Sequence, residues 1–280
     1  MDIKTKKRLM QTACKVRMGI IEGTYNAKSG HPGGSLSIAD ILTYLYFEKI
    51  NIDPNNPQMP NRDRFVLSKG HAAPALYSVL AHRGFFSVEE LKRLRHIGSM
   101  LQGHPDMKNT PGVDMSTGSL GQGISAAVGM ALASKHFKSG FKVYCAVGDG
   151  ELEEGQVWEA FMFAAHKKLD NLIVFVDLNN LQIDGTLDDV NSPLPVDKKL
   201  EAFNWHVITI DGHDFDQIEQ AVEEALAVTG KPTAIIANTI KGKGVSFMEN
   251  AVDWHGVAPN YDQYKAAMAE LEEYLKSLED

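Results

Sequence analysis

The sequence predicts an α/β fold with a mainly parallel sheet and helices on both faces. Two observations indicate this class: short apolar runs alternate with stretches of helical period, and successive strands are joined by helical crossovers. Parallel strands need crossovers of this kind, and the helices in them cover both faces of the sheet. A chain of 280 residues is long enough to bury a large core as one such domain.

Hydrophobic periodicity and helix-end residues locate the individual elements. Helices are predicted over roughly Lys4 to Ala27, Ile38 to Glu48, Ala72 to His82, Gly121 to His136, Gly155 to Lys168, Phe215 to Val228 and Tyr261 to Ser277. Strands are predicted at Arg64 to Leu67, Lys142 to Val147, Asn171 to Asp177, His206 to Ile210 and Thr233 to Asn238. Acids separate the apolar positions of the last helix, which favours a packed, natural end of the chain.

Composition argues against several classes of partner. A net charge of −8 disfavours nucleic acid or an anionic membrane as the main partner. Cys14 and Cys145 suggest neither a disulfide framework nor a CxxC metal site. The N-terminal segment carries charges within a helical period and lacks a continuous apolar core. We therefore expect no secretion signal or membrane span, and a soluble cytoplasmic protein.

The stretch from Val147 to Gly185 places polar residues at the ends of two strands. Asp149 follows the apolar run KVYCAV, Asn179 follows NLIVFVDL, and the residues between them predict one helix. Both side chains therefore lie at strand carboxyl ends, which is the edge where open parallel sheets bind ligands.

These residue types suit a magnesium-bound diphosphate. Mg²⁺ takes oxygen ligands and usually combines one or two protein side chains with phosphates and water, so Asp149 supplies charge and Asn179 a carbonyl oxygen. Gly148 and Gly150 remove side chains where the backbone must turn close to a diphosphate. A GDG triplet alone is also typical of surface turns, and Asn179 with Asn180 is typical of a turn after a strand. The pairing of Asp149 with Asn179 favours the metal site.

Motifs along nearly the whole chain resemble those of transketolases. The GDG and NN sequences just described are similar to the thiamine diphosphate motif of thiamine-dependent enzymes. Five further stretches are similar to transketolase motifs and occur in the order of that family: SGHPGGS (Ser29 to Ser35), RFVLSKGHAAP (Arg64 to Pro74), GHP (Gly103 to Pro105), STGSLGQGIS (Ser116 to Ser125) and WHG (Trp254 to Gly256).

The resemblance implies a three-layer thiamine diphosphate-binding fold. The chain corresponds only to the N-terminal, pyrophosphate-binding domain of transketolases, as a single domain over residues 1–280 with a C-terminal helix at 261–278. The pyrimidine-binding and C-terminal domains are expected on a separate C-terminal subunit, in an α2β2 heterotetramer, so the chain alone should be inactive. The implied cofactors are thiamine diphosphate and Mg²⁺, or Ca²⁺ or Mn²⁺ in its place.

Four histidines lie within these motifs. By the resemblance, His31 and His104 hydrogen-bond the hydroxyls of the donor sugar, while His71 and His255 lie near the diphosphate and the reaction centre. The ordinary pKa of histidine suits proton transfer to and from sugar oxygens. Glycine and proline beside each histidine favour loops that direct the imidazoles into a cleft, and loop histidines without a role are the alternative.

Further residues match cofactor contacts of the family. Gly118 contacts the aminopyrimidine through its backbone and Leu120 packs on the cofactor, although a tightly packed helix start also explains them. The resemblance also implies that the carbonyl oxygen of Leu181 is a third metal ligand and that Ile183 packs on the thiazolium ring. Lys241 is a candidate contact in a glycine-containing loop, where a solvated surface lysine is the alternative.

Several acids follow Asp149 at the start of the predicted helix. Glu151 and Glu153 are explained by the favourable interaction of acids with a helix N-terminus. Glu154 and Glu159 resemble family glutamates that form an acidic network across the dimer and link the two cofactor sites. We therefore expect Glu154 to face the dimer core.

The reaction implied is transfer of a two-carbon ketol unit from a ketose or ketose phosphate to an aldose or aldose phosphate, in the pentose phosphate pathway. Three alternatives stay open. One is a component of another thiamine enzyme, either a 2-oxo acid dehydrogenase or a deoxyxylulose phosphate synthase-like protein. Another is a split transketolase dedicated to an unusual sugar. The last is a non-catalytic module, which the presence of Asp149, Asn179 and the motif histidines disfavours.

Overall fold

One five-stranded parallel sheet organises the chain in the computed structural model, which describes residues 1–279. The strands are β1 (Arg64–Leu67), β2 (Val143–Gly148), β3 (Leu172–Leu178), β4 (His206–Asp211) and β5 (Thr233–Asn238). They lie in the order β1-β2-β3-β5-β4, and every neighbouring pair is parallel. All five were predicted to within one residue at either end.

Ten α-helices accompany the sheet in the described part of the chain. They are α1 (Ile3–Ala27), α2 (Pro32–Ser37), α3 (Ala39–Tyr44), α4 (Ala73–Arg83), α5 (Gln122–Phe137), α6 (Gly155–His166), α7 (Leu187–Val190), α8 (Val196–Ala202), α9 (Phe215–Ala227) and α10 (Tyr261–Ser277). Short 3₁₀ turns span Gly70–Ala72, Val88–Arg93, Gly150–Glu153 and Val252–Trp254, and a π-helical turn spans Leu45–Lys49. None of these helices is long and apolar enough to cross a membrane.

Separate apolar cores lie on the two faces of the sheet. Side chains alternate along β2, so that Tyr144 belongs to one core and Cys145 to the other. The first core contains residues of α1 to α4, α9 and α10, and the second contains residues of α5, α6 and α8. The predicted α/β class, with helices on both faces, is confirmed.

The helix predictions were wrong in three places. The helix expected from Ile38 to Glu48 is present as α3 and the π-helical turn that follows it, but the separate helix α2 just before it was not predicted. Proline at the first position of α2 has a backbone preset for a helix, which offsets the unfavourable glycine pair that follows it. The single helix expected after Asp149 is a 3₁₀ turn followed by α6. The short helices α7 and α8 were not predicted.

The carboxyl ends of the central strands meet at one edge of the sheet. In the register of the sheet, Gly148 pairs with Asp177 and Leu178 pairs with Asn238. The residues that follow β2, β3 and β5 are therefore neighbours in space, although they come from distant parts of the sequence.

Candidate active site

A cavity of about 310 Å³ opens at this carboxyl edge. It is lined by all but one of the residues predicted for the site: His31, His71, His104, Gly118, Leu120, Gly148, Asp149, Gly150, Asn179, Leu181, Ile183, Lys241 and His255. Gly34, Lys69, Glu151 and Gln182 also line it and were not predicted. The motifs of the sequence therefore converge on one cavity.

Asp149 lies at the end of β2 and is almost completely buried. Its Oδ1 accepts a hydrogen bond from the Gly150 amide at 2.9 Å. Its Oδ2 accepts from the amides of Asn179 at 2.8 Å and Asn180 at 2.6 Å. Burial, and next the charge of Asp177, raise the pKa of Asp149 to about 6, against the effect of the amide hydrogen bonds. A cation beside this carboxylate would stabilise its charged form.

Oxygen atoms of three residues at this point suit a divalent cation. The Asp149 carboxylate, the Asn179 side-chain oxygen and the Leu181 carbonyl are hard ligands on residues that line one cavity. Among residues 1–279 no group of three or more His, Cys, Asp or Glu could form a metal cage. A carboxylate, an amide oxygen and a backbone carbonyl are ligands that suit a hard divalent ion such as Mg²⁺, which also keeps phosphate and water ligands.

Lys241 is buried at the cavity wall, with 2% of its surface exposed. Its Nζ donates to the Leu181 carbonyl at 2.8 Å and lies 2.8 Å from His255 Nδ1. Burial lowers the pKa of Lys241 to about 8, against the opposing charge of Asp149. The alternative of a solvated surface lysine is therefore wrong.

Three histidines form a compact group in the cavity. The ring centres of His31, His71 and His255 are 5.2 to 5.6 Å apart. Burial is the main reason that the pKa falls to about 4 for His31, to about 3 for His255, and well below its usual value for His71. The rings are therefore neutral at pH 7, so each has one acceptor and one donor nitrogen. His31 Nδ1 is buried without a hydrogen-bond partner, which points to a ligand group beside it.

Three of the four motif histidines lie outside helices and strands, as predicted. His31 is the residue before the first turn of α2, and His71 lies in the 3₁₀ turn before α4. His104 is exposed at the cavity mouth, where a Cβ on Gly118 would lie 2.9 Å from its ring. Gly118 has a φ of +151°, so both conformation and space favour glycine there.

Lys69 was missed because its importance depends on distant partners. It is 1% exposed, donates to the Gly34 carbonyl at 2.8 Å and forms an ion pair with Asp177. Asp177 also accepts from Ser37 Oγ at 2.6 Å and from Thr239. Burial alone would raise the pKa of Asp177, but the charge of Lys69 keeps this pKa below its usual value. The sequence signal that could have identified Lys69 was a charged side chain among the small residues of the SKGHA motif.

Glu151 is a correction to the sequence interpretation. It was explained as an acid at a helix start, yet it is 2% exposed and lines the cavity. Its carboxylate accepts from the amides of Gly121 at 2.9 Å and Gly148 at 3.1 Å, and from Ser68 Oγ at 2.6 Å. It thus ties the loop before α5 to the end of β2.

Glu154 is the one predicted site residue that the structure does not bring into the cavity. Its side chain is exposed, just before the first turn of α6. The prediction that Glu154 takes part in cofactor binding from the dimer core stays a prediction, because it concerns a contact with a second copy of the chain. Glu159 is also exposed.

We expect the His31 ring to stay neutral as the pH falls from 8 to 5 and to gain its proton near pH 4, because burial disfavours the charged form. The unfolded chain protonates histidine near pH 6.5, so the contribution of His31 to stability is complete above that pH and is lost as pH falls towards 4. A ¹⁵N NMR titration of the ring nitrogens, with exposed His136 as the reference signal, measures this. Protonation of His31 near pH 6.5 would contradict the buried, neutral ring.

Comparison with known proteins agrees with this geometry. Residues 7–272 match the family model described as transketolase, thiamine diphosphate binding domain. A 6-deoxy-6-sulfo-D-fructose transketolase subunit of Clostridium sp. (strain MSTE9) is 53% identical over 243 residues, covering 87% of this chain and 88% of that protein. A subunit of the apulose-4-phosphate transketolase of Phocaeicola vulgatus is 42% identical over 265 residues, covering 95% and 94%.

Longer relatives match over part of their length. Human transketolase is 45% identical over 259 residues, which are 91% of this chain and 40% of the human protein. The crystal structure of a Pichia stipitis transketolase variant superposes with a TM-score of 0.89 at 35% identity, covering 94% of this chain and 40% of that one. Campylobacter jejuni transketolase gives 0.87 at 36% identity, covering 97% and 43%. The chain thus spans about two-fifths of these longer proteins.

Proposed function

The chain belongs to the transketolase family, and on that premise we propose that it is the cofactor-anchoring subunit of a two-subunit transketolase. The observation that carries the proposal is one cavity lined by Asp149, Asn179, Leu181 and the group of neutral histidines. Two relatives are themselves named as subunits and match this chain over most of their length, which supports division of the enzyme between two polypeptides. Residues 1–280 form a single pyrophosphate-binding domain in this proposal.

The residues divide between diphosphate and sugar. Asp149, Asn179 and the Leu181 carbonyl hold Mg²⁺, or Ca²⁺ or Mn²⁺ in its place, and Lys69 and Lys241 offer positive charge to the diphosphate. Thiamine diphosphate, when bound, supplies the carbon nucleophile and electron sink for transfer of a two-carbon ketol unit from a ketose to an aldose.

The remaining residues orient the organic parts of the ligands. Gly118 offers its backbone and Leu120 and Ile183 offer apolar surface to the cofactor rings. His31 and His104 hydrogen-bond sugar hydroxyls, and neutral His71 and His255 hold or accept protons beside the reacting atoms. The buried Nδ1 of His31 has no hydrogen-bond partner in the chain, which supports a ligand contact for this residue, because buried polar atoms are normally hydrogen-bonded.

A donor with a sulfonate group is a second candidate for the substrate, in place of a sugar phosphate. The sulfofructose relative is 53% identical, against 42% for the apulose phosphate relative and 45% for human transketolase. The pocket for the acidic group lies mostly on the partner subunit, so this preference is decided by the assembled enzyme.

Exposed apolar side chains on α6, together with open glycine positions on α5 and α6, support assembly around a second copy of the chain. Met162 is 59% and Phe163 41% exposed on α6. Added Cβ atoms on Gly129 of α5 and Gly155 of α6 would meet nothing within 4 Å. Exposed apolar surface of this kind is typical of protein contacts. We place Glu154 at this contact, within an α2β2 heterotetramer that works in the cytoplasm, where buried free thiols such as Cys14 stay reduced.

The test is ketol transfer by this chain with and without the separate C-terminal subunit that co-purifies with it from its host. With Mg²⁺, thiamine diphosphate and ribose 5-phosphate, we expect turnover of xylulose 5-phosphate or 6-deoxy-6-sulfofructose only in the mixture. The mixture should also have the mass of an α2β2 complex in sedimentation. Full activity of the chain alone, or decarboxylation of pyruvate by the mixture, would contradict the proposal.

A further inference from the structure

A buried polar cluster lies outside the lining of this cavity and lines a second cavity of about 580 Å³. It consists of Arg17 on α1, Asp40 on α3 and His213 between β4 and α9. Arg17 donates to both carboxylate oxygens of Asp40, at 2.9 and 2.5 Å, and both side chains are about 7% exposed. A two-bond contact between buried ions fixes orientation as well as distance.

His213 extends the cluster towards the segment that carries Lys241. The Ile240 amide donates to His213 Nε2 at 2.9 Å, so that nitrogen carries no proton. The proton is therefore on Nδ1, which donates to Asp40 Oδ2 at 2.8 Å. Burial alone would raise the pKa of Asp40, but the charge of Arg17 and the hydrogen bond from His213 lower it to about 2. Asp40 thus stays an acceptor and keeps this ring tautomer.

Arg17 reaches the same segment on the other side of Lys241. Its Nε donates to the Lys243 carbonyl at 3.0 Å. The cluster therefore holds the backbone at positions 240 and 243, while the Gly242 amide donates to the Gly33 carbonyl at 3.0 Å. Between these anchors the buried side chain of Lys241 extends to the Leu181 carbonyl.

We propose that Arg17, Asp40 and His213 are positioning residues, which place the Lys241 ammonium in the cofactor cavity by fixing the backbone on both sides of it. They act through Lys241 and do not line the cofactor cavity themselves. The role of Lys241 in cofactor binding rests on the proposed function. The anchoring of residues 240–243, in contrast, is a property of the free chain.

Two substitutions of His213 separate anchoring from folding. His213→Asn keeps a donor near Asp40 but is too short to reach the Ile240 amide, whereas His213→Gln extends far enough to accept from it. In the full ligand-free chain, we expect His213→Asn to speed amide hydrogen exchange of a peptide covering residues 240–250 by about tenfold, which corresponds to the loss of one hydrogen bond. His213→Gln should restore slow exchange. Unchanged exchange, or an equal increase in all peptides, would overturn the proposal.

A double-mutant cycle tests the route through Lys241. In the two-subunit mixture with Mg²⁺, His213→Asn should weaken thiamine diphosphate binding by about tenfold, and should add nothing once Lys241→Met is in place. If the loss of affinity in the double variant equals the product of the two single losses, His213 acts independently of Lys241. If the unsubstituted two-subunit mixture binds no cofactor, the proposed function fails, while the exchange measurement still decides the positioning role.

Discussion

Asp149→Asn is expected to weaken thiamine diphosphate binding in Mg²⁺ by more than about a hundredfold, because substitutions of outer-shell partners alone cost roughly 10- to 100-fold at metal sites. The change keeps the shape of the side chain but removes the charge that a divalent cation needs. It also replaces one of the two carboxylate oxygens. In the unsubstituted chain these oxygens accept hydrogen bonds from the amides of Gly150, Asn179 and Asn180. Calorimetric titration of the chain, and the cofactor concentration that half-activates the two-subunit mixture, measure the effect.

Asp184→Asn is the matched control. Asp184 is an exposed acid in the loop after β3, so the same chemical change there removes equal net charge without touching the cavity. Its cofactor affinity should stay within about twofold, because exposed charges outside contact range are screened by solvent and salt. Equal affinities for the two variants would remove Asp149 from the metal site. Thermal unfolding must show that the Asp149→Asn variant is folded, because an unfolded variant would also fail to bind the cofactor.

The residues that the sequence located well are those whose position follows from a strand end. Asp149 and Asn179 each come directly after an apolar run, and parallel pairing brings such positions to one edge of the sheet. The family resemblance added the histidines and the Leu181 carbonyl, whose roles no periodicity indicates. Sequence reasoning from the strand ends therefore found the place of the site, and the motifs found most of its lining.

The residues that sequence reasoning missed are important because of partners that lie far away along the chain. Lys69 pairs with Asp177, which is 108 positions away, and Glu151 accepts from Gly121 and Ser68. A helix-start acid and a buried bridging acid have the same local sequence, so only the packing of α5 on β2 distinguishes them. His213 is another example, since its partner Asp40 is 173 positions away.

Gly242→Ala is expected to reduce the free energy of unfolding by about 2–4 kcal/mol, the sum of a backbone penalty near 1 kcal/mol and of overpacking at 1–3 kcal/mol. Gly242 has a φ of +83°, and a Cβ there would lie 2.1 Å from the Met248 carbonyl oxygen. That contact is with backbone, so no side chain can rotate away. The substitution must displace the segment next to Lys241, and cofactor binding should weaken with it. Urea unfolding measures the stability change.

Gly140→Ala separates the two contributions. Gly140 has nearly the same φ, +80°, but nothing lies within 4 Å of an added Cβ. It should therefore lose only about 1 kcal/mol, the cost of the left-handed conformation, and leave cofactor binding unchanged. Equal losses for the two variants would mean that the segment after β5 moves freely enough to relieve the contact. The anchors at Ile240 and Lys243 argue against such freedom, because they hold both sides of Gly242 to α1 and to the loop after β4.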